Sequence, residues 1–319
     1  MISRKAAIID MGTNTFHLLL VKLSADNFTT LYKEKIAVKI GQGGINRNII
    51  TDDAQKRAFH TLGHFKNLID GERITEIFAF ATSAVRNAGN GQDFVAEIKN
   101  RFDITVHVID GVQEAQLIYE GIKFSGSLDQ ETHLMMDIGG GSVEFIIGNN
   151  QKAFWKQSFE IGGQRLLDLF HYHDPIISEE ITNLNLHLEN KLSDLISAIK
   201  TYHPTKLVGA SGTFDTLSDM YYETIHRQKG KAEQSFILPR DGFETLAEQL
   251  LTLNKAERLK IPGMIPMRVD MIVVASCLIK YILQYVPVDS LICSSFALKE
   301  GAISQLLLNN SLVESPEIE

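Results

Sequence analysis

With 319 residues the chain is long for one core and suits about two domains. Hydrophobic residues at 44% and charged residues at 22% are those of a globular protein, not of a disordered or fibrous one. A net charge of -8 argues against a general nucleic-acid or anionic-membrane binder, while leaving room for a local basic cleft that takes phosphate.

Arg4-Lys5 leads straight into Ala7-Ile8-Ile9, too short an apolar run for a signal peptide. That run meets Asp10-Met11-Gly12-Thr13-Asn14-Thr15 and continues as Phe16 to Val21, a strand–turn–strand unit. Asn27 to Val38 reads as an antiparallel extension of the same sheet, and Gly41-Gln42-Gly43-Gly44 as a loop. Thr51 is placed as an N-cap ahead of acidic Asp52 and Asp53. The helix they open carries Ala54, Ala58, Leu62, Phe65 and Ile69 at helical spacing. Ile77 to Ala81 is a short buried strand that ends in the loop Thr82 to Asn90. A helix with Phe94 and Ile98, a strand from Ile104 to Ile109 and a turn at Asp110-Gly111 follow. Gln113 to Phe124 is then a helix with Glu114 in its first turn.

From about Ser125 the pattern restarts. An apolar strand ending at Met136 runs into Asp137-Ile138-Gly139-Gly140-Gly141-Ser142 and then Val143-Glu144-Phe145-Ile146-Ile147. Glycine tolerates positive φ and has no Cβ, so such a bend lets backbone N–H groups close around an oxyanion. One glycine-rich turn is as often a plain hairpin connection; two, each with an Asp at the same place, predict related lobes that hold phosphates between them. Phe154 to Phe159 suits a strand, Gly162-Gly163 a turn and Arg165 to Phe170 a short helix. Ser178-Glu179-Glu180 opens one long amphipathic helix to about Tyr202, with Leu184, Leu188, Leu192, Leu195 and Ile199 on one face. Lys206 to Ala210 is a strand ending in the small-residue turn Ser211-Gly212-Thr213. Further helices are expected over Phe214–Thr224, Gly242–Leu251, Val269–Gln284 and Lys299–Leu307, with a last strand at Leu291-Ile292-Cys293. Cys277 and Cys293 follow no metal spacing and read as buried free thiols of a reducing compartment. Met271 to Ile279, the longest apolar stretch, is far below the ~20 residues that span a bilayer. The polar, acidic tail from Asn309 should be disordered, and the chain is expected to be cytoplasmic.

The repeated order of hairpin and helix–strand alternation predicts an α/β protein with a mixed sheet in each of two lobes and a cleft between them. Its motifs, in order, resemble the exopolyphosphatase / guanosine pentaphosphate phosphohydrolase (Ppx/GppA) family, within the actin-like ATPase-domain superfamily. The resemblance rests on the Asp10 to Leu20 hairpin, Thr82-Ser83-Ala84-x-Arg86-x-Ala88-x-Asn90 and Glu114-Ala115-x-Leu117-Ile118-Tyr119. It continues through Asp137 to Glu144, Gly162 to Leu166 around Arg165, Ser211-Gly212-Thr213 and Arg268-x-Asp270-Met271-Ile272. It implies two actin-like, ribonuclease H-like lobes: residues 1–124 with about 300–319, and residues 125–299. Longer members carry a C-terminal helical module. This chain stops short of one, and the lone His173-Asp174 pair lacks the partners such a site needs, so the short two-lobe form is expected.

The resemblance further implies Mg²⁺-assisted hydrolysis of a terminal phosphoanhydride in polyphosphate or guanosine pentaphosphate. By carry-over Glu114 is the general base, although a Glu in a first turn otherwise merely stabilises the helix dipole. Asp10, Asp137 and Glu144 are the candidate Mg²⁺ ligands, with Asp137 and Glu144 also catalytic; the ordinary alternative for Glu144 is an exposed strand carboxylate. Arg86 is expected to clamp a phosphate by its planar fork, against the commoner fate of a surface ion pair. Arg165 and Arg268 are weaker phosphate ligands that could instead cover a helix end and a domain seam. Thr13, Asn14, Gly139, Gly140, Gly141, Ser142, Ser211, Gly212 and Thr213 would supply N–H and hydroxyl donors. His17 reads as a packed histidine, and His171-x-His173 as a solvated loop pair without a third ligand.

Gln113, Gln116, Gln42, Ala297 and Lys299 depart from the commoner family pattern, which leaves substrate preference open between the two phosphate compounds. The expected partners are that substrate and, at most, a second copy in a homodimer, with no nucleic acid and no membrane. A sensor that binds guanosine tetraphosphate, pentaphosphate or polyphosphate without turnover, and a small-molecule kinase of the same superfamily, are the competing readings.

Overall fold

The structure is a computed structural model that describes residues 4–230 and 233–308. The expected disorder of the tail from Asn309 lies outside the described residues. The chain divides into two compact units, the residues up to Gly121 with those from Leu298 onward, and Ile122–Ala297. No described helix is long and apolar enough to cross a membrane.

The first unit runs β1 (Lys5–Met11), β2 (Phe16–Leu23), β3 (Phe28–Ile36), α1 (Asp52–Gly71), β4 (Glu76–Ala81), α2 (Ser83–Arg86), α3 (Gly91–Phe102), β5 (Val106–Val108) and α4 (Gly111–Phe124). Its sheet has the order β3-β2-β1-β4-β5, antiparallel through the hairpins and parallel from β1 to β4 and β5. Side chains alternate across a strand, so Ala7, Ile9 and Met11 enter one core while Asp10 leaves the opposite face. Thr51 caps α1 by accepting the Ala54 amide at 3.3 Å, and Ala54, Ala58, Leu62, Phe65 and Ile69 are buried on the helix's inner stripe.

The second unit runs β6 (His133–Ile138), β7 (Val143–Gly148), β8 (Ala153–Phe159), α5 (Gly163–Phe170), α6 (Ser178–Lys191), α7 (Ser193–Tyr202), β9 (Lys206–Ala210), α8 (Ser211–Thr224), β10 (Ser235–Pro239), α9 (Arg240–Thr252), α10 (Lys255–Arg258), α11 (Met271–Ile282) and β11 (Ser290–Ser294). Its sheet, β10-β11-β9-β6-β7-β8, repeats the first unit's plan and adds β10 antiparallel to β11. The final helix, α12 (Leu298–Leu307), belongs to the first unit, where it packs on β1. A Cβ on Gly301 would collide with the Leu117 carbonyl, so α12 lies directly against α4.

Five points depart from the sequence reading. The long helix to Tyr202 is two helices, because the backbone departs from helical angles at Leu192 (φ -104°, ψ 16°), although its apolar face stays buried throughout. Ser211-Gly212-Thr213 forms the first turn of α8 and not a separate turn, and within the expected loop Thr82 to Asn90 the stretch Ser83 to Arg86 forms one helical turn. Strand β10 escaped the sequence reading, since its short, Pro-ended run acquires its pairing only from β11, over 50 residues later. His171 is buried, with 5% side-chain exposure, while His173 stays in solvent and meets Glu180 at 2.9 Å.

Candidate functional site

In the first unit the relevant residues gather at the carboxyl ends of the parallel strands β1, β4 and β5, the usual ligand edge of such a sheet. Asp10 pairs in register with His17 on β2 and Phe80 on β4. Burial pushes the Asp10 carboxyl up to about 6; Lys299 on α12 opposes that shift and Glu300 reinforces it. In the bend that follows, the carbonyls of Thr13 and Asn14 accept the amides of Gly41 and Lys39 at 3.0 and 2.9 Å. A Cβ on Gly41 would strike the Thr13 side chain, so glycine is needed there for the loop to close on the bend.

Asp110 caps α4, its Oδ1 accepting the Val112 and Gln113 amides at 2.8 and 2.7 Å, while Gln113 Oε1 accepts the Asp110 amide at 3.1 Å. This reciprocal box fixes the first turn and hence Glu114, which is only 7% exposed. Arg86, at the end of α2, donates Nη1 to Glu114 Oε2 at 2.9 Å and to the Ile109 carbonyl at 3.0 Å. The structure thus brings Arg86 and Glu114 together, a pairing that sequence spacing did not reveal.

In the second unit Asp137 and Glu144 sit directly opposite each other across the β6–β7 hairpin. Their side chains therefore leave the same face, opposite to Met136, Ile138 and Phe145 in the core. Both are nearly buried, at 6% and 1% exposure, so Glu144 is not the exposed strand carboxylate of the ordinary alternative. Ser211 Oγ donates to Asp137 Oδ2 at 2.9 Å and Ser158 Oγ to Glu144 Oε1 at 2.7 Å. Ser211 holds φ at 68° as the first residue of α8, a left-handed backbone that costs a non-glycine residue energy and recurs at functional sites.

The glycine bend is fastened from one side only. Gly141, Gly139 and Gly140 carbonyls accept the amides of Gly162, Gly163 and Gln164 at 3.1, 2.8 and 2.8 Å, and Gly141 O also accepts Arg165 Nε at 2.9 Å. The amides of Gly162, Gly163 and Gln164, three of the orphan donors at the start of α5, are thereby used. Among the described residues no backbone hydrogen bond from the Gly139, Gly140 or Gly141 amides is found. Arg165 also pairs with Glu160 at 2.8 Å and stands on the carbonyl side of the bend, as its brace. Arg268 lies against the α8 N-terminus, where a Cβ on Gly212 would sit 2.6 Å from Arg268 Cζ. Burial lowers the Arg268 guanidinium, and the carboxylates of Asp215 and Asp137 raise it, so the cation belongs to the Asp137 cluster. Asp215, one turn into α8, was missed from sequence; its signal was the i+4 spacing from Ser211. Ser142, Thr13 and Thr213 are buried at the bends and at the start of α8.

Among the described residues no group of three or more His, Cys, Asp or Glu side chains could hold a metal by itself. The Asp137–Glu144 pair does offer two hard oxygen donors on one face, and Mg²⁺ is commonly held by one or two carboxylates plus substrate phosphates. Within the second unit the donor set therefore fits Mg²⁺ arriving with a phosphate.

Comparison with known proteins agrees with this architecture. The model of the Ppx/GppA phosphatase family matches residues 19–310. The chain is 42% identical to the crystal structure of an exopolyphosphatase from Cytophaga hutchinsonii, with a TM-score of 0.94, covering 97% of this chain and 99% of that one. A Ppx/GppA family member from Aquifex aeolicus, 23% identical with a TM-score of 0.80 over 96% of this chain and 98% of that one, shares the fold. Among curated proteins the chain is 28% identical over 93% of its length to a bifunctional 3-dehydroquinate synthase/phosphatase of Fusobacterium nucleatum. It is likewise 28% identical over 95% of its length to a guanosine-5'-triphosphate,3'-diphosphate pyrophosphatase of Aeromonas hydrophila. The chain spans 46% and 60% of those two relatives' own lengths.

Proposed function

Because the chain belongs to the Ppx/GppA phosphatase family, we propose that it hydrolyses the terminal phosphoanhydride of inorganic polyphosphate or guanosine pentaphosphate. The observation that carries this reading is the one-sided fastening of the glycine bend. With its three carbonyls tied to α5, the Gly139–Gly141 amides are left to meet an anion, beside the Arg268 cation and the α8 N-terminus.

The substrate's terminal phosphoryl oxygens accept those amides and the first-turn donors of α8, with Ser142 and Thr213 hydroxyls alongside. Mg²⁺, when bound with the phosphates, screens their charge. Asp137 and Glu144 would hold it in the second unit; Asp10 is the first unit's own candidate carboxylate. Thr13 and Asn14 are the first unit's own candidate donors to a phosphate, in the bend after β1. Glu114 takes the proton of the attacking water. Arg86 moves from Glu114 to a phosphoryl oxygen as substrate enters, which frees the carboxylate to act as base. Phosphoryl transfer asks little covalent chemistry of the protein, so positioning and charge stabilisation supply the rate.

The reading is tested by phosphate release from polyphosphate, guanosine pentaphosphate and ATP. Release from at least one of the first two, without an acceptor, is the expected result. Binding without release identifies a sensor; ATP consumption that depends on an acceptor identifies a kinase.

A further inference from the structure

Arg258 is fully buried and was not singled out by sequence. It closes α10 and bonds three separate stretches of the second unit. Its Nε donates to the Val269 carbonyl at 3.0 Å, and its Nη1 to the Leu253 carbonyl and to Asp174 Oδ1, both at 2.6 Å. Its Nη2 has no hydrogen-bond partner among the described residues; Asp270 Oδ1 stands 3.9 Å away. Asp174 is itself fixed by the Lys255 amide at 2.7 Å, and Lys255 Nζ holds Asp270 at 2.7 Å.

Val269 is the immediate neighbour of Arg268. The peptide that Arg258 grips therefore belongs to the segment that presents the Arg268 guanidinium to Gly212, Asp215 and Asp137. On its other side the Arg268 guanidinium packs against Gly212, where it leaves no room for a Cβ. A burial this complete, with one donor left unpaired, is a costly way merely to fill space; an apolar side chain would do that more cheaply. We propose that Arg258 is a positioning residue for phosphate binding, holding the Val269 carbonyl so that Arg268 stays over the α8 N-terminus. The proposal rests on the reading of Arg268 as a ligand of the substrate's phosphates.

A double-mutant cycle tests it, with tripolyphosphate and guanosine pentaphosphate as probes, binding read by calorimetry and turnover by phosphate release. Arg258→Lys keeps the charge and loses the fork that reaches Val269. It should weaken binding or turnover on the order of 10- to 100-fold, as misplacement of a site group by about 1 Å does. In an Arg268→Ala background the same change should add less than about twofold, because the residue it positions is gone. Ile69→Ala, a change in the separate core of the first unit that lowers Tm, should leave turnover at low temperature within about twofold. If Arg258→Lys does not fold, Asp174→Asn loosens the same guanidinium more gently and serves in the cycle. Additive losses, or an Arg268→Ala that binds as wild type does, overturn the proposal while leaving the hydrolase reading intact. Wild-type protein that binds the probes but releases no phosphate sinks the hydrolase reading alone, since the binding cycle still decides. Failure of the wild type to bind either probe overturns both.

Discussion

Arg86 Nη1 and Glu114 Oε2 stand 2.9 Å apart, with side-chain exposures of 16% and 9%, so the proposed base starts from an ion pair. Such a pair is held together by the cost of leaving either charge alone in a buried place. Arg86→Ala should therefore destabilise by about 3 kcal/mol, while the double change Arg86→Ala/Glu114→Gln should destabilise less than Arg86→Ala alone. Thermal denaturation of wild type and the two variants checks this order. A double variant less stable than Arg86→Ala would mean that the two groups are not charge partners in solution.

The fastening of the glycine bend makes Gly162 a sensitive position. A Cβ there would lie 2.5 Å from the Gly140 carbonyl oxygen, backbone that cannot swing aside as a side chain can. Gly162→Ala should cost about 2–3 kcal/mol and lower turnover, since the bend must shift to accept it. Gly71, at the end of α1, has nothing within 4 Å of a built Cβ, so Gly71→Ala should be near neutral. Denaturant titration of both variants gives the comparison; equal stabilities would contradict the packing described.

Asp10 carries a pH signature. Its carboxyl is pushed up to about 6 by burial, whereas in the unfolded chain it titrates near the ordinary carboxylate value. As pH rises from about 4 to about 6, the unfolded chain loses this proton first, so stability falls across that window. The loss is up to about 3 kcal/mol. Asp10→Asn in metal-free buffer should match wild type near pH 4 and exceed it in Tm above pH 6. Added Mg²⁺ should stabilise wild type more than the variant if Asp10 is a ligand. A constant Tm difference at all pH values would contradict the raised carboxyl.

Much of this was legible in the chain, for local reasons. Four residues between Ile138 and Val143 fix the hairpin register, and period-two alternation then puts Asp137 and Glu144 on one face. Thr51 announced its helix because capping is chemistry between near neighbours. What stayed hidden depends on distant partners. The contact of Arg86 with Glu114 spans 28 positions, and that of Arg258 with Asp174 spans 84. No periodicity encodes either. Ser211-Gly212-Thr213 was read as a turn because small residues suit a turn and a helix start equally; the helix is decided by Phe214 and Leu217 entering the core.

The central claim is that Glu114 activates water and does not merely hold substrate. Its test is Glu114→Gln assayed for binding and turnover with the substrate that wild type hydrolyses, in ¹⁸O-labelled water. Wild type should place one labelled oxygen in each released phosphate, and Glu114→Gln should bind within about threefold while releasing phosphate about 10²–10⁴ times more slowly. A variant that turns over within about threefold of wild type would contradict the account.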